Sequence, residues 1–315
     1  MKLGLLSTAT INGALLNATP PEVEIAAVAS RDAARAQAYA SEHAIPRSHG
    51  SYEELLADDG IDAVYISLPN GMHHEWTLRA IEAGKHVLVE KPYSRRSAEV
   101  DEAWEAAERA GLVVMEAFMY RHHPQAAKAR ALVQEGAIGR LGTIKATFSF
   151  QLLELENIRM LPELDGGALM DVGCYCISGC RLLGGEPERV YGEQRLGPTG
   201  VDVDFYGTLR FPGDVVAQFE ASFSLPKRQR LEAVGDGGTL VVEAPWRADW
   251  GGRVLLNDEP VDVGSPDSYE RELTNFAAAV AGEAEPLLGH DDALQQARVI
   301  EALYRSAESG EAVTL

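Results

Sequence analysis

The chain has 315 residues, of which 46% are hydrophobic and 24% charged, and its formal net charge at pH 7 is −20. That length exceeds one typical core and predicts two domains of an ordinary globular protein. The acidic balance and the lack of a basic patch exclude a nucleic-acid partner; no apolar run reaches a membrane span, and Met1-Lys2-Leu3-Gly4 enters a strand without a signal peptide, so no membrane role and a cytoplasmic location are expected.

Residues 2–6 read as a short apolar strand, followed by the turn Ser7-Thr8-Ala9-Thr10-Ile11-Asn12. A dinucleotide fingerprint would place glycines at positions 7 and 9 and a small residue at 12, so that backbone can approach a pyrophosphate. Ser7, Ala9 and Asn12 depart from it, yet small residues still permit close approach, and the hydroxyls of Ser7 and Thr8 can donate to phosphate oxygens. The second strand, residues 23–29, ends in Ser30-Arg31-Asp32. An acidic strand tip would accept from the ribose 2′-hydroxyl of NAD, whereas Ser30 and Arg31 supply donors and positive charge for the 2′-phosphate of NADP. Asp32 is expected to cap the next helix.

Helices are predicted over 33–41, 52–57, 74–83 and 98–110, with strands at 63–67, 87–89 and 112–115. This alternation implies parallel strands with right-handed crossovers, a doubly wound sheet. The run Val87-Leu88-Val89 has the β-branched content of a strand buried on both faces and delivers Glu90-Lys91-Pro92 to the edge where open α/β folds bind ligands. At the same edge lies Leu68-Pro69-Asn70-Gly71-Met72-His73-His74, with His74 read as a helix-surface residue.

After Ala117-Phe118-Met119-Tyr120-Arg121-His122-His123-Pro124 the pattern shifts to period-two strands at 143–152, 202–211, 215–223, 229–234 and 239–243, separated by turn signals such as Gly235-Asp236-Gly237-Gly238. His122 reads as a surface residue. These strands predict a large open, mostly antiparallel sheet in an α+β second domain, with domains at 1–120 and 121–315. Between the first two strands lies Asp165-Gly166-Gly167-Ala168-Leu169-Met170-Asp171-Val172-Gly173-Cys174-Tyr175, in which Asp171 and Tyr175, four apart, would share a helix face. Cys174, Cys176 and Cys180 fall on the same helix with no fourth ligand in a recognised spacing, so core packing and no metal are expected. Helices at 269–281 and 292–308 and a short strand at 312–315 complete the chain.

Several of these runs, covering nearly the whole length, resemble the glucose-fructose oxidoreductase / inositol dehydrogenase (Gfo/Idh/MocA) family: Glu90-Lys91-Pro92, the Pro-Asn-x-x-His segment at 69–73, Ala117-Phe118-Met119-Tyr120-Arg121-x-His123-Pro124, and Gly166-Gly167-x-x-x-Asp171-x-Gly173-x-Tyr175. The Leu-Ser-Thr-Ala run at 6–9 resembles the sugar and trans-dihydrodiol dehydrogenase branch. The resemblance implies that Lys91 sits beside a nicotinamide, that Ser7, Thr8, Ala9, Ile11, Asn12, Ser30, Arg31, Leu68, Asn70, His73 and Glu90 line the coenzyme, and that Arg121, His123, Asn157 and Arg159 meet the substrate. Asp165 stands where that branch commonly has a third glycine; its carboxylate would narrow the pocket mouth or meet a substrate hydroxyl.

On this reading Lys91, Asp171 and Tyr175 are the catalytic group. A phenol with an ordinary pKa near 10 becomes a usable proton relay where a lysine ammonium favours the phenolate. The expected reaction is NADP-dependent hydride transfer at a hydroxyl-bearing carbon of a small polyhydroxylated substrate, an aldose such as D-xylose ahead of a cyclic trans-diol. A carbonyl reductase running in reverse and a non-catalytic NADP or sugar sensor stand as alternatives. A homo-oligomer, a dimer or a dimer of dimers, is expected from the exposed face of the second sheet.

Overall fold

The computed structural model describes residues 1–247 and 251–315. The chain begins with β1 (Lys2–Leu5), α1 (Asn12–Asn17), β2 (Glu24–Ala29), α2 (Ala33–Glu42), β3 (Arg47–His49), α3 (Tyr52–Leu56), β4 (Ala63–Ile66), α4 (His73–Glu82), β5 (His86–Glu90), α5 (Ser97–Ala110) and β6 (Val114–Ala117). The six strands pair in parallel in the order β3-β2-β1-β4-β5-β6. Every residue of β4 and β6 is buried, as are the three central residues of β5, which is what helices on both faces of a parallel sheet require. Strand order reverses between β1 and β4, so the loops leaving these strands open the crevice where such sheets take ligands. Asp32 caps α2 as expected, accepting from Arg35 N–H. Strand β3 escaped the sequence reading because it is three polar residues long; an Arg47–Asp58 ion pair at 2.6 Å braces it.

The chain continues through α6 (Pro124–Gln134), β7 (Leu141–Ser149), α7 (Cys174–Gly184), β8 (Arg189–Leu196), β9 (Asp202–Arg210), β10 (Val216–Ser222), β11 (Arg228–Gly235), β12 (Thr239–Glu243), β13 (Arg253–Leu256) and β14 (Glu259–Val261), then α8 (Ser268–Val280), α9 (His290–Ser309) and β15 (Val313–Thr314). The second sheet has nine strands in the order β14-β13-β12-β11-β7-β10-β9-β8-β15. Its pairs are antiparallel except β7 with β10, because the meander β8-β9-β10 folds back beside β7 in the same direction. Helix α7 packs on β7, β10 and β11 and buries Cys174, Cys176 and Cys180; burial pushes the Cys180 thiol well above its ordinary range. Strands β8, β13 and β14 carry too many exposed charged residues, or are too short, to stand out as periodic.

The described chain divides into two compact units. One contains Met1–Ser94, Ala98–Met119 and Asp267–Leu294; the other contains Arg95–Ser97, Tyr120–Pro266 and Gln295–Leu315. Helix α8, capped by Asp267, therefore returns to the parallel sheet and packs against α1.

Candidate active site

In the first unit the loop after β1 is held from inside. Ser7 Oγ lies 2.7 Å from Ser67 Oγ and 3.1 Å from Ser67 O, while Asn12 Nδ2 donates to Ser7 O at 2.8 Å and Asn12 Oδ1 accepts from Ser67 Oγ at 2.6 Å. Asn12 is fully buried, so Ser7 and Asn12 use their side chains to tie the β1 loop to the end of β4. Thr8, Ala9 and Ile11 are half-buried. Where the usual fingerprint has glycines, this loop is fixed by a network of side-chain hydrogen bonds.

At the tip of β2, Ser30 is buried and its hydroxyl accepts from Asp32 N–H at 3.3 Å. Arg31 is exposed and its charge acts on the buried Tyr52 phenol. Burial raises that phenol above its ordinary pKa, and Arg31 and Arg35 pull the other way, so a guanidinium group just before the α2 cap and another in its first turn share this corner. Such a donor-rich, positively charged tip fits the 2′-phosphate of NADP. Arg35 carries no distinct signal in the sequence, because Arg31 lies outside the helix and no helical spacing links the two.

Leu68 is buried and its carbonyl lies 2.8 Å from His73 Nε2; the other ring nitrogen of His73 lies 3.0 Å from Pro92 O. His73 is fully buried behind the loops, with Asn70 half-buried beside them. Burial lowers the His73 pKa, and the Lys91 ammonium acts in the same direction. The imidazole thus ties the end of β4 to the residue after Lys91. His74 is partly covered, its ring nitrogens 2.9 Å from Tyr93 Oη and 3.2 Å from Glu102 Oε2.

Glu90 accepts from the buried Tyr65 hydroxyl and, at 3.3 Å, from Lys91 N–H. Behind it stands Glu272 of α8, 1% exposed, whose carboxyl is raised well above the usual range by burial and then by Glu90. This cluster was not visible in the sequence, since 182 positions separate residues 90 and 272.

In the second unit the glycine-rich segment differs from a plain helix. Residues Leu169–Gly173 form a π-helical turn before α7 begins at Cys174. Asp171 and Tyr175 therefore straddle a change of helical pitch instead of sharing one α-helical face, a wide turn of the kind often found at functional sites. Asp171 Oδ2 accepts from Arg159 Nε at 2.7 Å. Tyr175 is 8% exposed and set among Tyr120, Phe148 and Trp246, with ring centroids 5.5 to 6.0 Å away.

The four substrate candidates also have local partners. Arg121 reaches Ser178 Oγ at 3.4 Å, His123 caps α6 by accepting from Gln125 N–H at 3.2 Å, and Asn157 Oδ1 accepts from Arg159 N–H at 3.1 Å. Tyr120 donates to Ser178 at 2.6 Å. His122 corrects the surface reading: it is 9% exposed, and burial, followed by the Arg121 charge, pushes its pKa down to about 3. The reason is that the short 3-10 turn Met119–His122 directs it inward, which a His-His pair in a loop does not announce. Asp165 is likewise engaged, with Arg96 Nη1 3.0 Å and Arg95 Nη1 3.9 Å from its carboxylate.

Comparison with known proteins agrees with this layout. Residues 4–118 match the oxidoreductase family with an NAD-binding Rossmann fold, and residues 126–241 match the GFO/IDH/MocA C-terminal domain. The chain is 41% identical to D-xylose 1-dehydrogenase (NADP(+)) 2 of Haloferax volcanii, over the full length of both, and 35% identical to a trans-1,2-dihydrobenzene-1,2-diol dehydrogenase of Xenopus tropicalis over 85% of this chain and 77% of that one. Among solved structures, the 3-ketoreductase KijD10 of Actinomadura kijaniata, crystallised with NADP and TDP-benzene, superposes with a TM-score of 0.91 at 29% identity over 97% of each chain. The aldose-aldose oxidoreductase of Caulobacter crescentus gives 0.90 at 26% identity over 100% of this chain and 99% of that one. A doubly wound parallel sheet and a mixed nine-stranded sheet, each matched by its own family description, place this chain in the GFO/IDH/MocA family of oxidoreductases.

Proposed function

We propose that the protein is an NADP-dependent aldose 1-dehydrogenase acting on a small neutral sugar of the D-xylose type. The observation that carries this reading is the full-length similarity to an NADP-dependent D-xylose 1-dehydrogenase, at 41% identity. The corner formed by Arg31, Arg35 and Tyr52 supports the coenzyme choice, because Ser30 and Arg31 stand where an acidic residue would serve NAD, Asp32 is taken up as the cap of α2, and two cations are present.

NADP, when bound, would supply the acceptor for the hydride that leaves the hydroxyl-bearing carbon. Arg31 and Ser30 would hold its 2′-phosphate, and the backbone of residues 7–12 would receive its pyrophosphate. Lys91 steadies the substrate oxygen, and Tyr175 accepts that oxygen's proton as the C–O bond gains carbonyl character. The aromatic surround of Tyr175 keeps water from the phenol, and Asp171, held by Arg159, orients the sugar. Arg121, His123, Asn157 and Arg159 contribute hydrogen-bonding groups toward ring hydroxyls. The same residues serve carbonyl reduction, in which Tyr175 returns the proton. We further expect a homo-oligomer that covers the outer face of the nine-stranded sheet, and a reducing compartment, the cytoplasm, suited to three free cysteines. No helix among the described residues is long and apolar enough to cross a membrane.

The test is kcat/KM with NADP for D-xylose, D-glucose, myo-inositol and a cyclic trans-diol, followed at 340 nm. D-Xylose should lead. Preference for myo-inositol, or activity confined to anionic substrates, would overturn the neutral-aldose reading.

A further inference from the structure

We propose that Asp202 is a positioning residue for Tyr175, its carboxylate serving as the missing N-terminal cap of the π turn; the catalytic part of this rests on the dehydrogenase reading above. A helical segment begins with N–H groups that have no partner inside it, and a polar side chain at the N-cap usually accepts from one of them. Here the N-cap is Ala168, whose side chain has no acceptor. Asp202, the first residue of β9, takes its place: Oδ2 accepts from Leu169 N–H at 2.6 Å. The other oxygen, Oδ1, accepts from Tyr304 Oη of α9 at 3.0 Å. Asp202 is 3% exposed and Tyr304 6%, and every residue of this clamp belongs to the second unit.

Leu169 passes this hold to Tyr175 in one step. Its N–H is fixed on Asp202, and its C=O accepts from the N–H of Cys174, the neighbour of Tyr175, in the five-residue span that makes the turn wide. The same carboxylate sets the entry to the turn. Gly167 has φ 127°, and a Cβ there would overlap Asp202 Oδ1, so glycine alone lets the backbone lie against the acid. Gly167 O in turn accepts from Asp171 N–H at 3.0 Å. In an ordinary α-helix Cys174 N–H would donate to Met170 O, which swings the residues on the two sides of that junction by about 100° relative to each other. Holding Leu169 selects the wider turn, and with it the relative placement of Asp171 and Tyr175. Burial raises the Asp202 carboxyl to about 7, against the pull of Leu169 N–H, Tyr304 and the Arg95 charge. Acid and anion both accept from Leu169; only the hydrogen between Oδ1 and Tyr304 Oη changes owner. Asparagine therefore preserves the clamp, its oxygen facing Leu169 and its NH₂ facing Tyr304, whereas alanine abolishes it.

The experiment compares Asp202→Ala, Asp202→Asn and Tyr304→Phe, the last keeping the ring beneath Arg95 and removing only the hydroxyl. Three quantities are measured at a temperature where each protein is folded: hydrogen exchange of the amides of residues 168–176, read by mass spectrometry; the dissociation constant for NADP; and kcat with whichever substrate leads the panel above, so that a wrong sugar leaves the test intact. Asp202→Ala should exchange this segment several-fold faster and lose about ten- to a hundredfold in kcat, while the NADP dissociation constant moves less than about twofold. Asp202→Asn should restore slow exchange and keep kcat within about threefold of the wild type. Tyr304→Phe should fall between the two, and it decides by the same readings if Asp202→Ala does not fold. A contact of structural value alone would lower Tm and leave the kcat of folded protein unchanged. Unchanged exchange in folded Asp202→Ala overturns the proposal, as does faster exchange with undiminished kcat, or an equal loss of kcat in Asp202→Asn and Asp202→Ala. If the wild type oxidises no member of the panel but exchange still rises in Asp202→Ala alone, the dehydrogenase reading fails and the clamp stands.

Discussion

Replacing His122 by leucine should flatten the acid side of the stability profile. The imidazole is buried, its Nε2 has no hydrogen-bond partner among the described residues, and its folded pKa is about 3 against an ordinary 6.5. Between those values the unfolded chain binds a proton that the folded chain refuses. Stability contributed by the neutral ring is therefore complete above pH 6.5 and is lost as pH falls toward 3. From pH 6.5 to 4.5, two pH units at about 1.36 kcal/mol each amount to about 2.7 kcal/mol. Leucine has no proton to bind and removes an orphaned buried nitrogen worth ~1 to 3 kcal/mol, offset by imperfect packing. Urea unfolding of both proteins, followed by circular dichroism at pH 7.5 and pH 4.5, isolates the effect because every other titrating group is shared. The variant should gain on the wild type by about 2 to 3 kcal/mol between the two conditions. A wild-type-to-variant difference independent of pH would show that His122 is solvated or paired, and the burial argument would fall.

Asp202 should act with the opposite sign: burial raises its carboxyl from an ordinary 3.8 to about 7, so the stability it contributes is complete below pH 3.8 and is lost as pH rises to 7, and Asp202→Asn should fall off less than the wild type in thermal melts between pH 4 and 7.5. Arg31→Ala should weaken NADP binding in titration calorimetry by about 1.5 to 3 kcal/mol while leaving NAD nearly unaffected; equal losses would contradict a 2′-phosphate contact. Tyr175→Phe should keep the fold and NADP affinity but lower kcat by roughly two to four orders of magnitude in single-turnover assays, and retention of most turnover would assign the proton relay elsewhere. Gly207→Ala would put a Cβ 2.0 Å from Phe219 Cε1, displacing a ring stacked on Phe205, and should cost ~1 to 3 kcal/mol in chemical denaturation.

The parts of the fold set by local pattern were readable in advance. Buried β-branched runs such as Val87-Leu88-Val89 announce a parallel sheet, and Asp32 at a strand-to-helix junction announces a cap that the structure contains. Period-two segments located β9 to β12 within a residue or two. What stayed hidden depends on distant partners. Ser7 looks like a phosphate donor until Ser67 is seen to share its hydroxyl, and Asp165 looks like a substrate contact until Arg95 and Arg96 reach it. Glu272 gives no sequence signal at all, because a carboxylate on an amphipathic helix is ordinarily solvated, and only tertiary packing buries this one behind Glu90. The π turn before Tyr175 is similarly a product of context, with glycines at 166, 167 and 173 permitting an α-helix to start there as readily as a wider turn.

The return of Asp267–Leu294 to the parallel sheet has a bearing on how the protein comes to be made. As the chain leaves the ribosome, all six parallel strands are present once residue 117 has emerged, but the helix that packs on α1 and supplies Glu272 is about 150 residues away. Until it arrives, the apolar surface that α8 will cover, together with the Tyr65–Glu90 hydrogen bond, faces solvent or a chaperone. The first unit cannot reach its final state before most of the second has been synthesised, so an excised fragment ending near residue 120 should expose apolar surface and aggregate, despite holding every strand of its sheet.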